Sequence, residues 1–165
     1  MVYIYNKTRE HKNVVEAFLA LEATKPDKET LVSAGIIAAV SMVRLEQVDG
    51  AEKLARKLLS HLQGEKQYER EGSMHRLIAR VCAQAGRLGD AVEQARLAAG
   101  CFEKAGDLYH AATAFGYIGD LYRETGEFEK AQEAFRTFHG FAEKWGDRNL
   151  IQIAELADAW VCIDV

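Results

Sequence analysis

A single proline in 165 residues is too little to punctuate a chain of short strands and turns; it suits long helices joined by short connectors. Cys82, Cys101 and Cys162 are odd in number and widely spaced. That suits reduced, packed thiols and argues against a disulfide framework or a paired-cysteine metal site. No apolar run is long enough to span a bilayer, so no membrane span and no membrane partner are expected. The opening residues, Met1-Val2-Tyr3-Ile4-Tyr5-Asn6-Lys7, do not follow the basic-then-apolar order of a secretory signal, and a cytoplasmic location is the expectation.

Catalytic constellations are equally scarce. There is no glycine-rich phosphate loop, no His-Glu-x-x-His and no nucleophile elbow. The five histidines, His11, His61, His75, His110 and His139, are scattered, with none four residues from another; each reads as a surface or packing side chain. The sequence therefore predicts no enzyme, no metal and no cofactor. Net charge is −4, yet residues 53–87 carry eight Lys/Arg against three Glu, and residues 88–165 carry seven against fourteen acids. The basic belt alone does not make a nucleic-acid surface, because the chain is acidic overall and no aromatics are interleaved.

The chain does carry an internal repeat. Residues 85–107 and 125–147, forty apart, share nine identities: Gly86/Gly126, Ala91/Ala131, Glu93/Glu133, Arg96/Arg136, Gly100/Gly140, Glu103/Glu143, Lys104/Lys144, Gly106/Gly146 and Asp107/Asp147. Forty residues earlier stand Ala51, Ala55 and Arg56 against Ala91, Ala95 and Arg96, a third and more diverged copy. Within the best copy, Leu108, Ala111, Ala112, Phe115, Ile118, Gly119 and Tyr122 recur at the three- and four-residue steps of one helix face. The pattern stops at Thr125-Gly126 and restarts through Phe128, Ala131, Ala134, Phe135 and Phe138, so each unit is a hairpin of two helices. On this reading residues 1–165 form one domain: an N-terminal helix at 9–24, hairpins at 28–64, 66–105 and 108–145, and a capping helix at 148–163.

Phe115, Ile118-Gly119-x-x-Tyr122, Ala131 and Phe135 fill the core slots of a tetratricopeptide repeat, and the chain resembles that family in its long-helix subclass of about forty residues per repeat. The resemblance spans about residues 28–163, strongest after 72. It implies an all-α, right-handed α-α superhelix of about eight helices, whose first helices line a concave groove for a protein or peptide partner. Carried over slot by slot, the groove residues are Ile36, Ile37, Val40, Val43 and Arg44, then Arg76, Leu77, Arg80 and Gln84, then Tyr117, Asp120, Arg123 and Glu124. Either the N-terminal helix or the Val2–Tyr5 segment covers the four aliphatics within the chain, or they form an open slot. Arg76 and Arg80, one turn apart, suit an acidic peptide or else a solvated face. The lysine-and-asparagine carboxylate clamp of some co-chaperones is missing, since its slots hold Ile36, Val40, Arg76, Arg80, Gly116 and Asp120.

In the last helix a strict forty-residue offset puts Asp158 at a core position, an expensive place for a carboxylate. An offset of 38, which makes Leu156-Ala157-x-x-Trp160 the core motif, is the expectation here. Trp160, Val161 and Ile163 leave this cap apolar and predict self-association into a homo-oligomer or packing by a longer partner. Three functions are consistent with the residues: a non-catalytic adaptor, a self-assembling scaffold, and a peptide-sensing regulatory subunit.

Overall fold

The computed structural model describes the backbone of residues 2–62, 64 and 66–161, and the side chains of the same residues apart from 2–7, 160 and 161. Among the described residues there are eight helices and no strand: α1 (Val2–Ala23), α2 (Lys28–Arg44), α3 (Val48–Leu62), α4 (Tyr68–Gln84), α5 (Leu88–Ala105), α6 (Leu108–Glu124), α7 (Phe128–Trp145) and α8 (Arg148–Val161). α1 begins at Val2, ahead of the start near residue 9, because nothing in Tyr3–Thr8 breaks a helix. No described helix is long and apolar enough to cross a membrane.

The helices gather into two compact units, Met1–Lys66 and Gln67–Val165. In the first, α2 packs against both α1 and α3. In the second, each helix from α4 to α8 packs on its neighbour in the chain. Aspartates start several helices. Asp27 Oδ1 accepts from the Thr30 amide at 2.9 Å, Asp107 Oδ1 from the His110 amide at 3.0 Å, and Asp147 Oδ1 from the amides of Asn149 and Leu150 at 2.8 and 3.2 Å. Each satisfies amides that the first turn leaves without a helical acceptor.

Left-handed backbone keeps the period even where the residue type does not. Gly86, Gly106, Gly126 and Gly146 all have φ between 74 and 80°, the left-handed conformation that closes a helix. Glu46 (φ 58°) and Lys66 (φ 53°) stand forty residues before Gly86 and Gly106 and adopt the same region without glycine. The hydrogen bonds agree: the amides of Gln47, Arg87 and Glu127 donate to the carbonyls of Met42, Cys82 and Tyr122 at 2.9, 2.8 and 2.8 Å.

Small residues set the helix spacing. Ala39 and Ala79 on first helices, and Ala51, Ala91 and Ala131 on second helices, are fully buried, so the axes approach with no side chain between them. Where one partner grows, the other shrinks. A Cβ on Gly119 would lie 2.5 Å from Phe135 Cε1, and one on Gly72 would lie 2.9 Å from Phe102 Cε1. The corresponding pairs one repeat away are Ala79 with Ala95 and Ala112 with Ala142, all buried. A ring on one helix is thus matched by a missing side chain on its partner. In the second unit Ala112, Ala131, Phe135, Phe138, Ala142, Leu150 and Ala154 form one core, flanked by Phe115 and Phe141, whose rings stack at 5.5 Å. In the first unit Val15 and Phe18 of α1 join Val32, Leu54 and Leu58 among the buried residues. There His11 Nδ1 lies 3.2 Å from the hydroxyl of buried Ser41, and Lys57 bridges to Glu22 at 2.5 Å.

The last helix corrects the 38-residue offset. α8 starts after Gly146-Asp147 as α6 starts after Gly106-Asp107, so the forty-residue phase continues. Leu156, expected in the core, is 60% exposed, while Leu150 and Ala154 are buried. The aspartate caps set the phase, and Asp158 takes the place that Ile118 holds one repeat earlier. A carboxylate is tolerated there because it lines an open cavity beside Arg136 and His139 rather than a sealed core.

Candidate partner-binding surfaces

The expected groove residues fall on first helices, and position by position their character changes from copy to copy. Ile36, Arg76 and Gly116 share one slot; Ile37, Leu77 and Tyr117 the next; Val40, Arg80 and Asp120 a third; Arg44, Gln84 and Glu124 a fourth. The helix period puts these slots on one face of each helix.

On α2, in the first unit, Ile37 and Val40 are 59% and 41% exposed with α1 packed beside them. α1 therefore does not bury either side chain. Ile36 is half-buried, Arg44 is exposed, and Val43, 6% exposed, belongs to the core rather than to a wall a ligand could touch. The Val2–Tyr5 side chains, the other expected cover, lie outside the described ones.

In the second unit, α4 and α6 bring several expected residues into one electrostatic neighbourhood. Leu77 is not among them, being buried in the core. Arg76 is half-buried, its guanidinium 5.7 Å from the centre of the Phe102 ring, a cation–π contact. Burial, and then the neighbouring Arg80, hold its pKa below the ordinary arginine value, against the pull of Asp107 and Tyr109. Arg80 itself is exposed. Tyr117 lies between the two helices' charges: burial pushes its phenol up, Arg80 pulls it down, and Glu124, Asp120 and Cys82 push it further up. Asp120 is raised by burial and opposed by Arg123, which donates to it at 3.2 Å. Gln84 and Glu124 are exposed at the ends of their helices.

Several cations on this chain pair with an acid within their own helix or cap, and Arg76 and Arg80 have none at helical spacing. Arg56 pairs with Glu52, Arg87 with Asp90, Arg123 with Asp120 and Lys130 with Glu127, each within its own helix or cap. Along α4, the positions three and four residues from Arg76 and Arg80 hold Gly72, Ser73, Leu77, Ala79, Ala83, Gln84 and the arginines themselves, with no acid. Two like charges one turn apart repel, and an arriving carboxylate would relieve that repulsion.

The thiols, His75 and His110 show no comparable arrangement. Cys82 is buried and Cys101 half-buried, and neither forms a disulfide; burial, with help from Glu71 and against Lys104, pushes the Cys101 thiol up, away from the reactive thiolate. His75 Nδ1 lies 2.9 Å from Gln94 Oε1, and His110 Nδ1 lies 2.6 Å from Asp107 Oδ2. Asp107 and Tyr109, which act on Arg76, were not among the expected site residues. They belong to a helix start rather than to a groove slot, and only the packing of α6 near α4 reveals them. Of the residues expected to self-associate, Ile163 and the side chains of Trp160 and Val161 lie outside the described ones.

A stack of helical hairpins with small residues at the crossings defines an all-α repeat protein. Comparison with solved structures narrows the class. Aspartyl phosphate phosphatase F from Bacillus subtilis superposes with a TM-score of 0.78 at 19% identity, covering 96% of this chain and 42% of that one. Nearly identical TPR-like repeats of a kinesin light chain-like protein from Podosopora anserina give 0.73 at 16% identity, covering 96% and 82%. A Rap protein complexed with competence and sporulation factor gives 0.74 at 16% identity, covering 94% and 49%. This chain spans less than half the length of the first and the last. No family model matches the sequence, and no curated protein matches it either. The chain has the helical-repeat fold of tetratricopeptide-like proteins.

Proposed function

We propose that this protein is a non-catalytic, cytoplasmic adaptor that binds a peptide or an amphipathic helix of a protein partner on the faces of its first helices. The observation that carries the reading is the Arg76–Arg80 pair on α4. It stands beside the half-buried Tyr117 and has no acid at helical spacing to offset it. Two guanidiniums one turn apart, with the Tyr117 phenol in the field of Arg80, suit an acidic side chain or a terminal carboxylate. A second surface, Ile37 and Val40 of α2, suits an apolar side chain. The Rap protein in complex with competence and sporulation factor supports the reading as an example of this fold holding a ligand.

Selection of random displayed peptides on the wild-type protein tests both surfaces. Binders enriched in Asp and Glu are expected, with affinity falling at least about tenfold in Arg80→Glu through loss of a charge-assisted contact. Ile37→Asp probes the α2 face separately. Selected peptides that bind both variants as well as wild type, with helicity unchanged, would remove these faces from the account.

The exposure of Ile153 (55%) and Leu156 on α8 favours a second reading, a scaffold that self-assembles through its last helix. Light scattering over a range of concentration and salt decides it. A monomer throughout sinks the idea.

A further inference from the structure

Between α7 and α8 lies a cavity of about 340 Å³ lined by Arg136, His139, Ala154, Glu155, Asp158 and Ala159. Its polarity is specific to this copy of the repeat. The residues forty positions before His139 and Asp158 are Ala99 and Ile118, both buried and apolar. Two core slots of the hairpin stack have thus become ionisable, one on each helix of the same pair. One carboxylate oxygen of Asp158 is shielded from solvent. His139 Nδ1 lies 3.7 Å from Glu143 Oε2, and its Nε2 lies 3.9 Å from Glu155 Oε1.

Turning apolar packing into partly sheltered charge costs stability, and a ligand that uses the charges offsets that cost. The wall is mixed in sign. A lone anion would meet Glu155 and Asp158, and a lone cation would meet Arg136. Among the described residues no three donors are grouped to hold a metal ion. The volume falls at the low end of small-molecule pockets, about 300–1,000 Å³.

We propose that this cavity binds a small zwitterion, with its ammonium on Asp158 and Glu155 and its carboxylate on Arg136 and a ring N–H of His139. The ligand class is a free amino acid or a short peptide with both termini uncapped. Both present the same two charged groups a few bonds apart. The site is separate from the α4–α6 face, and either can fail without the other.

Calorimetric titration of the full chain with free amino acids and dipeptides tests the proposal, with N-acetyl amino acids and amino-acid amides as partners that each lack one charge. Binding with a dissociation constant of about 1 mM or tighter is expected for at least one zwitterion. Capping either end should weaken it at least about tenfold, as should Arg136→Gln or Asp158→Asn. Tighter binding of dipeptides assigns the site to peptide termini, and tighter binding of single residues assigns it to free amino acids; either supports a zwitterion site. The double variant His139→Ala/Asp158→Ile, which restores the residues of the preceding repeat, should keep its helicity and lose binding. If that variant does not fold, Arg136→Gln, on the exposed rim, decides alone. No heat with any zwitterion, equal binding of capped ligands, or unchanged binding by these variants overturns the proposal.

Discussion

Glu46 and Lys66 occupy left-handed backbone that the later copies give to glycine. For a residue with a Cβ that conformation costs about 1–2 kcal/mol. Glycine would remove the strain but add freedom to the unfolded chain. Glu46→Gly and Lys66→Gly are each expected to stabilise the fold by about 1 kcal/mol net, read as a higher midpoint in thermal or urea denaturation. A lower midpoint in both would mean that the side chains contribute more than the backbone loses. The sequence shows the helix stops at Gly126, Gly146 and Gly106. It does not show the left-handed backbone at 46 and 66, because the residue type that signals the conformation is absent there. At Asp158 the forty-residue offset was legible, but the cost of a carboxylate in a core argued for an offset of 38; the structure keeps forty because the position opens on a cavity.

At the scale of the element, the hairpins depend on paired volumes rather than on any one residue. Gly119→Ala places a methyl against the Phe135 ring at a separation real contacts do not reach, and should cost about 1–3 kcal/mol by overpacking. Phe135→Ala empties the same space and should cost about 3–5 kcal/mol. Together they rebuild the Ala79/Ala95 arrangement, so the double variant should lose clearly less than the two single changes added, by about 1 kcal/mol or more of coupling. Additive losses would show that the helix spacing is set elsewhere. The alanine and glycine slots were legible as a forty-residue recurrence. The exchange of bulk between α6 and α7 was not, since it needs to be known which side chains meet.

For the molecule as a whole, the boundary at Lys66–Gln67 falls where the repeat weakens in the sequence. Residues 67–165, whose helices each pack on a neighbour in the same unit, should fold alone and unfold cooperatively in urea. Residues 1–66, at a length where single cores are marginal, should show a weak or absent transition. A non-cooperative 67–165 fragment would refute this division. The helix period, the glycine stops and the small-residue recurrence determined the all-α repeat fold from sequence alone, because each is a local or periodic property. Tertiary structure alone decided that Val43 and Leu77 turn inward, that Arg76 comes under the influence of Asp107 and Tyr109, and that Asp158 meets the cavity beside Arg136 and His139. Burial and electrostatic neighbourhood arise from contacts between helices distant in the chain, and no spacing along one helix encodes them.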